Sequence, residues 1–142
     1  MYLVVSLDGV NVSTDGRISV DTAPAVPADK TPVSIQYVGK HNNDFVVQYD
    51  IPIGKRMVIQ GLRGGAGRST NGSYIEIRDK GISGTENDVI GVPLFVNGST
   101  NALTLNKSLE ASPTQTRIIE LIISNDQNEY SAGEIIGYLE DL

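Results

Sequence analysis

The stretch VSIQYVGKHNNDFVVQYD, residues 33–50, decides the fold class. Apolar and polar side chains alternate in both of its arms, residues 33–38 and 45–50, and this two-residue period is typical of half-buried β-strands. The polar segment GKHNN, residues 39–43, separates the arms and predicts a turn. The stretch therefore predicts a pair of short strands.

Strand signals continue to the C-terminus. Apolar runs occupy residues 56–60, 74–78, 89–96, 117–124 and 135–139, and segments rich in polar residues or Gly predict loops or turns at 61–72, 81–88 and 125–129. Turn signals spaced by about 8–12 residues predict a sandwich or a barrel. The one helix candidate is residues 102–111, which carry three leucines and precede the helix-stopping Pro113.

The composition agrees with an all-β chain. Among the 142 residues, Val and Ile number 29 and Leu and Ala number 17. Branched side chains lose rotamer freedom in a helix and pack well on a pleated sheet, so this ratio favours strands. A chain of this length is expected to form one domain around one core.

The N-terminal region differs from the rest of the chain. Two Asp-Gly pairs, Asp8-Gly9 and Asp15-Gly16, separate short alternating runs, which predicts either a small meander or a kinked extended arm. The Pro-rich segment at 23–28 cannot lie in a central strand. We therefore place a boundary here, with an N-terminal strand or extension at 1–22 and a β-sandwich domain at 23–142.

Charge and composition exclude several kinds of protein. The net charge of −6 repels a phosphate backbone, so we expect no nucleic-acid partner. With no Cys, the chain has no disulfide and no thiol nucleophile. Its apolar runs are far shorter than the roughly 20 residues of a spanning helix, so we expect no membrane insertion. The start lacks signal-peptide features, which leaves open a cytosolic protein or a removed signal.

Few residues are candidates for chemistry. The Gly-rich segment 61–70 departs from a phosphate-binding loop, because Leu62 stands at the first Gly position and Arg68 at the Lys position. Arg63 and Arg68 remain a candidate pair for an anionic ligand, since guanidinium groups bind carboxylates and phosphates bidentately. His41, the single histidine, has no recognisable nucleophile motif to serve. We expect no enzyme, metal or cofactor.

The C-terminal third contains a recognisable pattern. It consists of VPLFVNG at 92–98, IIELII at 118–123 and YSAGEIIGY at 130–138. Over residues 30–142 the chain resembles the cysteine-free chaperone-usher fimbrial subunits of the colonization-factor type. Ile135 stands where that family has an aromatic residue, and Tyr138 is shifted.

The resemblance implies an immunoglobulin-like antiparallel sandwich completed by a strand from a neighbouring subunit. The donor side chains would be Leu3, Val5, Leu7, Val10 and Val12, and the acceptor edge would be the last strand at Ile135, Gly137 and Leu139. The implied partners are copies of the chain or sister subunits, a periplasmic chaperone and usher, and a host receptor or glycan. The implied location is the bacterial surface.

Two other hypotheses stay open. A viral or phage coat, decoration or tail component would also be β-rich and would act in a virion. A carbohydrate-binding sandwich would present exposed aromatic side chains, for which Tyr74, Tyr130 and Tyr138 are available in a chain without Trp.

Overall fold

The computed structural model describes residues 10–12, 18–20, 25–68 and 72–142, and these form strands and connections without a helix. The prediction of an all-β antiparallel sandwich is confirmed. The eight strands are β1 (Val10–Val12), β2 (Ile18–Val20), β3 (Thr31–Ile51), β4 (Lys55–Ala66), β5 (Tyr74–Gly81), β6 (Asp88–Phe95), β7 (Ser99–Glu110) and β8 (Arg117–Asp141).

Two long strands organise the fold. β3 has 21 residues and β8 has 25, and they pair antiparallel from Thr31↔Leu139 to Ile51↔Arg117. The register shifts once, at a bulge between His41 and Asn43. Bulges bend a strand and increase its twist, and here the bulge marks the place where the strand pair passes from one layer to the other.

The shorter strands build a layer on each half of this pair. In the first layer β5 pairs with β8 from Ser124 to Ile118, and β6 pairs with β5. In the second layer β4 pairs with β8 from Ser131 to Asp141, and β7 pairs with β4. The strand order is therefore β6-β5-β8-β3 in the first layer and β7-β4-β8-β3 in the second layer.

The core lies between the two layers. A Cβ atom on Gly133 in the second layer would lie 3.2 Å from the Ile123 side chain and 3.5 Å from the Ile75 side chain in the first layer. Apolar residues at alternate positions fill this space, as the strand period predicts. The fully buried ones include Ile51, Met57, Ile59, Leu62, Ile75, Ile77, Val96, Ile119, Leu121, Ile123 and Ile135.

Both polar segments predicted as turns lie inside strands. Residues 39–43 belong to β3 and 125–129 to β8, and His41 pairs with Glu129 while Asn43 pairs with Asn125. Each segment supplies backbone partners for the other, so polar sequence continues the strand at the bend instead of ending it. The prediction of two turns is wrong, and so is the placement of His41 in a loop.

The helix predicted at 102–111 is also wrong, because these residues belong to β7 and to the residue that follows it. Leu103 and Leu105 pack against the core two residues apart, and Leu109 is buried on the same side. Thr104 and Asn106 lie between them. The spacing of the leucines has the period of a strand, which prevailed over leucine's helix propensity.

The predicted Gly-rich loop at 61–72 begins later than the sequence indicates. Gly61–Gly65 pair with both β7 and β8, so β4 runs through most of the glycines to Ala66. Gly64 has a packing reason to lack a side chain, since a Cβ atom there would lie 2.8 Å from Ile75 Cδ1 and would collide with the carbonyl oxygen of Ala132.

In the N-terminal region β1 pairs antiparallel with β2, with Val12 opposite Ile18. The predicted Asp15-Gly16 turn lies outside the described residues. Ala25, the first described residue after β2, accepts a hydrogen bond of 2.8 Å from Gln60 Nε2 through its carbonyl oxygen. The domain boundary between 22 and 23 stays a prediction.

Candidate functional site

The outer edge of β3 has no partner within the described residues. Along its whole length β3 pairs with β8 on one side, and no other described strand pairs with it. Its other side forms no strand pairing within the described residues. A long edge of this kind is a template for another strand.

Two stretches of this edge carry no charge. They are residues 33–39 and 45–49, which lie on opposite sides of the bulge. On the inner side of both stretches, half-buried apolar residues border the core without being covered: Val33, Tyr37, Val47 and Tyr49. Tyr37 and Phe45 stack with ring centroids 3.9 Å apart and an interplanar angle of 19°, which connects the two layers at this edge.

A groove of about 580 Å³ crosses the outer face of the second layer. Its floor is one row of the sheet, in which Val38 pairs with Ala132, Ala132 with Gly65 and Gly65 with Thr100. Small residues occupy the two central strands, so the groove deepens between the longer side chains on either side. We call this feature the outer groove; its lining residues include Gln36, Val38, Arg63, Gly65, Thr100, Tyr130, Ala132 and Glu134.

A hydrogen-bonded ion pair forms one wall of the outer groove. Arg63 Nε donates to Glu134 Oε1 at 2.6 Å, and the Ser34 hydroxyl donates to Glu134 Oε2. Burial raises the pKa of Glu134, but these two hydrogen bonds and the charge of Arg63 outweigh burial and hold the pKa below its usual value. Glu134 is therefore ionised at neutral pH and balances the charge of Arg63.

An exposed aromatic ring forms the opposite wall. Tyr130 is 69% exposed, and the Lys40 ammonium lies 5.8 Å from its ring centroid. A cation at this distance is attracted by the ring's quadrupole and helps to hold the ring in place. The outer groove thus lies between a tyrosine and a neutral ion pair.

The two arginines predicted to bind an anion have different surroundings. Arg63 lines the outer groove and pairs with Glu134, whereas Arg68 lies beside Gly98, where a Cβ atom would be 2.7 Å from Arg68 Cγ. Arg68 does not line the groove. The structure therefore supports no joint anion site, and the anion hypothesis stays a prediction.

The predicted acceptor edge is wrong. Ile135 pairs with Ile35 of β3 on one side and with Leu62 of β4 on the other, and Gly137 and Leu139 are likewise paired on both sides. Gly137 also lies so close to β4 that a Cβ atom would collide with the Val58 carbonyl oxygen. The final strand is the centre of the second layer because β4 covers the side that a donor strand would need.

The predicted donor residues fall in two groups. Val10 and Val12 lie in β1, which pairs with β2 of the same chain. Leu3, Val5 and Leu7 lie outside the described residues. Donation of this segment to another subunit stays a prediction.

Sequence reasoning missed the outer groove. Tyr130 and Ala132 stand in the segment that carries the fimbrial resemblance, and Arg63 was singled out as an anion ligand. Their meeting depends on the register of β4 and β8, which are separated by more than 60 residues. No local signal reports such a register.

Within the described ranges, no group of three or more His, Asp or Glu residues is arranged to hold a metal ion. The same residues include no helix long and apolar enough to cross a membrane.

Comparisons with known proteins assign no family. No protein-family model matches the sequence, and no curated protein is significantly similar to it. Among solved structures, the infectious bursal disease virus T13 particle is similar at 14% identity and a TM-score of 0.47, over 83% of this chain and 36% of that one. The nucleoplasmin-like N-terminal domain of Drosophila FKBP39 is similar at 13% identity and a TM-score of 0.44, over 83% and 96%.

A further similar structure is TmCBM61 in complex with β-1,4-galactotriose, at 12% identity and a TM-score of 0.38, over 81% of this chain and 90% of that one. This chain spans about a third of the length of the viral particle protein.

Proposed function

We propose that this chain is a structural subunit that assembles with copies of itself through the outer edge of β3. The observation that carries the proposal is the pairing of β3, which has 21 residues and forms backbone pairs on one side only within the described part of the chain. Main-chain hydrogen bonds along such an edge supply the affinity of strand addition.

The other two edges are protected in ways that β3 is not. β6 carries Pro93, which cannot donate a ladder hydrogen bond, and Gly91 with a φ of +72°. β7 exposes polar side chains, including Asn106 and Lys107. Natural proteins discourage edge pairing with such residues, so the uncharged stretches of β3 are the edge best suited to pairing.

A second copy would also cover half-buried apolar residues on the inner side of β3. In an antiparallel pair centred on Gln36, the Ile35 of each copy lies opposite the Tyr37 of the other, because residues at equal distances from the centre face each other. Ile35 is buried and Tyr37 is half-buried, and both face inward, so their burial increases. This register places no like charges opposite each other between residues 33 and 39.

Such a two-fold pairing suits a viral or phage coat, decoration or tail component acting in a virion. A closed two-fold contact uses the same surface on both copies and needs no dedicated donor segment. The fimbrial hypothesis, with its chaperone and usher partners, loses its acceptor site because β8 is paired on both sides. We therefore favour copies of this chain as the partner.

The test is size-exclusion chromatography with light scattering over a hundredfold range of concentration. The intact protein is expected to form dimers or larger even-numbered species that dissociate on dilution. Gln36→Lys is expected to give monomers at every concentration, because two ammonium groups would face each other at the two-fold axis. The matched control is Thr104→Lys on the edge strand β7 of the same layer, which is expected to leave assembly unchanged.

A monomeric intact protein at every concentration would overturn the proposal. Unchanged assembly of Gln36→Lys would overturn it too. Deletion of residues 1–14 separates the proposal from strand donation: self-pairing through β3 survives the deletion, whereas assembly that disappears and returns with an added peptide of those residues would support the fimbrial hypothesis instead.

A further inference from the structure

We infer that the outer groove is a binding site for a short, neutral oligosaccharide. Two of its lining residues, Gln36 and Val38, belong to β3, and the inference rests on the shape, charge and hydrogen-bonding capacity of the groove within one copy of the chain. Its volume of about 580 Å³ is within the usual range for ligand sites, which are concave and carry a few placed polar groups.

The shape of the groove fits an elongated ligand lying across the strands. The floor crosses four strands in register, from Val38 through Ala132 and Gly65 to Thr100. Three inter-strand spacings of about 4.8 Å give a floor about 14 Å long. A short sugar chain fits a floor of this length.

The charge of the groove favours a neutral ligand. Its charged lining residues are one arginine and one glutamate, and these neutralise each other through a direct hydrogen bond of 2.6 Å. An anion at the terminal nitrogens of Arg63 would be repelled by the neighbouring Glu134 carboxylate, and a cation at Glu134 would be repelled by Arg63. A polar molecule without charge meets neither obstacle.

The hydrogen-bonding groups fit sugar hydroxyls, which both donate and accept. Arg63 uses only its Nε within the described residues, so both of its terminal nitrogens can donate to a ligand. The Gln36 amide and the Thr100 hydroxyl also line the groove and form no hydrogen bond within those residues, and each can donate and accept. These three groups surround the small-residue floor.

Tyr130 supplies the apolar contact. The C–H faces of a sugar ring are weakly apolar, and an exposed aromatic ring covers them without using a hydrogen bond. The Lys40 ammonium lies 5.8 Å from the centroid of this ring.

The experiment begins with an array of neutral and acidic oligosaccharides probed with the intact protein. It continues by titration calorimetry with neutral tetrasaccharides of glucose, galactose and mannose. At least one neutral tetrasaccharide is expected to bind. Tyr130→Ala is expected to weaken that binding at least about tenfold, while Tyr130→Phe, which keeps the ring, retains most of it.

A second variant tests the floor without touching the ring. Ala132→Leu fills the centre of the groove and is expected to abolish binding. The matched control is Tyr138→Ala, which removes a tyrosine from the same strand outside the groove and is expected to bind as the intact protein does. Circular dichroism and thermal melting establish that each variant is folded, and a variant that fails is replaced by Thr100→Ala or Arg63→Gln.

Three outcomes would overturn the inference. They are the absence of binding to any neutral oligosaccharide, binding confined to acidic oligosaccharides, and binding that persists unchanged in both Tyr130→Ala and Ala132→Leu. The first two outcomes reject the ligand class, and the third would show that the oligosaccharide binds outside the outer groove.

Discussion

Arg117 binds the Asp79 carboxylate bidentately through two guanidinium nitrogens: Nε lies 3.0 Å from Oδ1 and Nη2 lies 2.6 Å from Oδ2. The Asp79 side chain is only 5% exposed, and its Oδ1 also accepts a hydrogen bond from the Gly81 N–H. Arg117 Nη1 donates to the Glu110 carbonyl oxygen as well. One buried ion pair thus joins the end of β5, the end of β7 and the start of β8.

The Asp79–Arg117 ion pair makes the free energy of unfolding depend on pH in the acidic range. Burial raises the pKa of Asp79, but the hydrogen bonds from Arg117 and Gly81 and the charge of Arg117 outweigh burial, so the folded-state pKa lies below the usual value of an aspartate. A lowered folded-state pKa contributes stability that is complete above the unfolded pKa and is lost as pH falls through the folded value. We expect the unfolding free energy contributed by this pair to fall below a pH of about 4.

Asp79→Asn tests this pair directly. Removing one partner of a buried ion pair leaves the other charge unpaired, so we expect a loss of about 3 kcal/mol at pH 7 and a smaller loss at pH 3. Denaturant unfolding at both pH values measures it. Asp141→Asn, which breaks the exposed pair with Lys55, is the control and is expected to change stability little. Equal losses for Asp79→Asn at both pH values would contradict the assignment.

Gly64 and Gly65 are neighbours in β4, and we expect a side chain to destabilise the protein more at Gly64 than at Gly65. A side chain at Gly64 points into the core and collides with Ala132 and Ile75, so Gly64→Ala is expected to cost about 1–3 kcal/mol through overpacking. At Gly65 a Cβ atom lies on the outer face, 2.8 Å from the rotatable Thr100 Oγ1, and we expect a smaller cost. Thermal unfolding of the two variants compares them, and the opposite order would mean that β4 is shifted by one residue.

A substitution at Asn125, in the β8 segment 125–129 at the bend, distinguishes a buried strand position from an exposed turn. It is 1% exposed, and its Nδ2 donates to Ser131 Oγ at 3.2 Å. Asn125→Ala is expected to destabilise the protein by about 1–3 kcal/mol, because it leaves buried groups without a partner. A double-mutant cycle with Ser131→Ala, measured by denaturant unfolding, isolates the bond. A surface turn would instead give a loss within about 0.5 kcal/mol.

The same bend explains which parts of the fold could be predicted. Alternation at residues 33–38, 74–78 and 117–124 identified strands because burial of one face has a local two-residue signature. The segments at 39–43 and 125–129 looked like turns because their polar composition is also local, whereas their mutual pairing spans more than 80 residues. Non-local pairing also decides that β8 is central and that β3, within the described residues, pairs on one side only.

The outer groove was beyond prediction for the same reason. Arg63 and Glu134 are opposite each other in the β4–β8 register, and a shift of β4 by one residue would turn Arg63 toward the core and away from Glu134. The sequence identified Arg63 as a candidate for binding but had no means of finding the carboxylate that neutralises it. The pairing of Arg63 with Glu134 is the basis of the neutral ligand inferred above, and the anion hypothesis stays a prediction.

Asn43 provides a test of the bulge itself. Its φ is +127°, in a region that L-residues other than glycine rarely adopt, and it stands where the β3 register shifts. Holding a side chain there costs about 1–3 kcal/mol, and glycine removes the steric part of this cost. Glycine also increases the entropy of the unfolded chain, which offsets part of the gain by about 0.5–1 kcal/mol. We therefore expect Asn43→Gly to stabilise the protein slightly and Asn43→Val to destabilise it clearly, as measured by denaturant unfolding.

Asp44→Gly is the matched control. The neighbouring residue has no positive φ, so glycine there adds unfolded-state entropy without removing a steric cost. If both glycine variants lose the same stability, Asn43 does not hold this conformation, and the bend that joins the two layers must be formed elsewhere in β3.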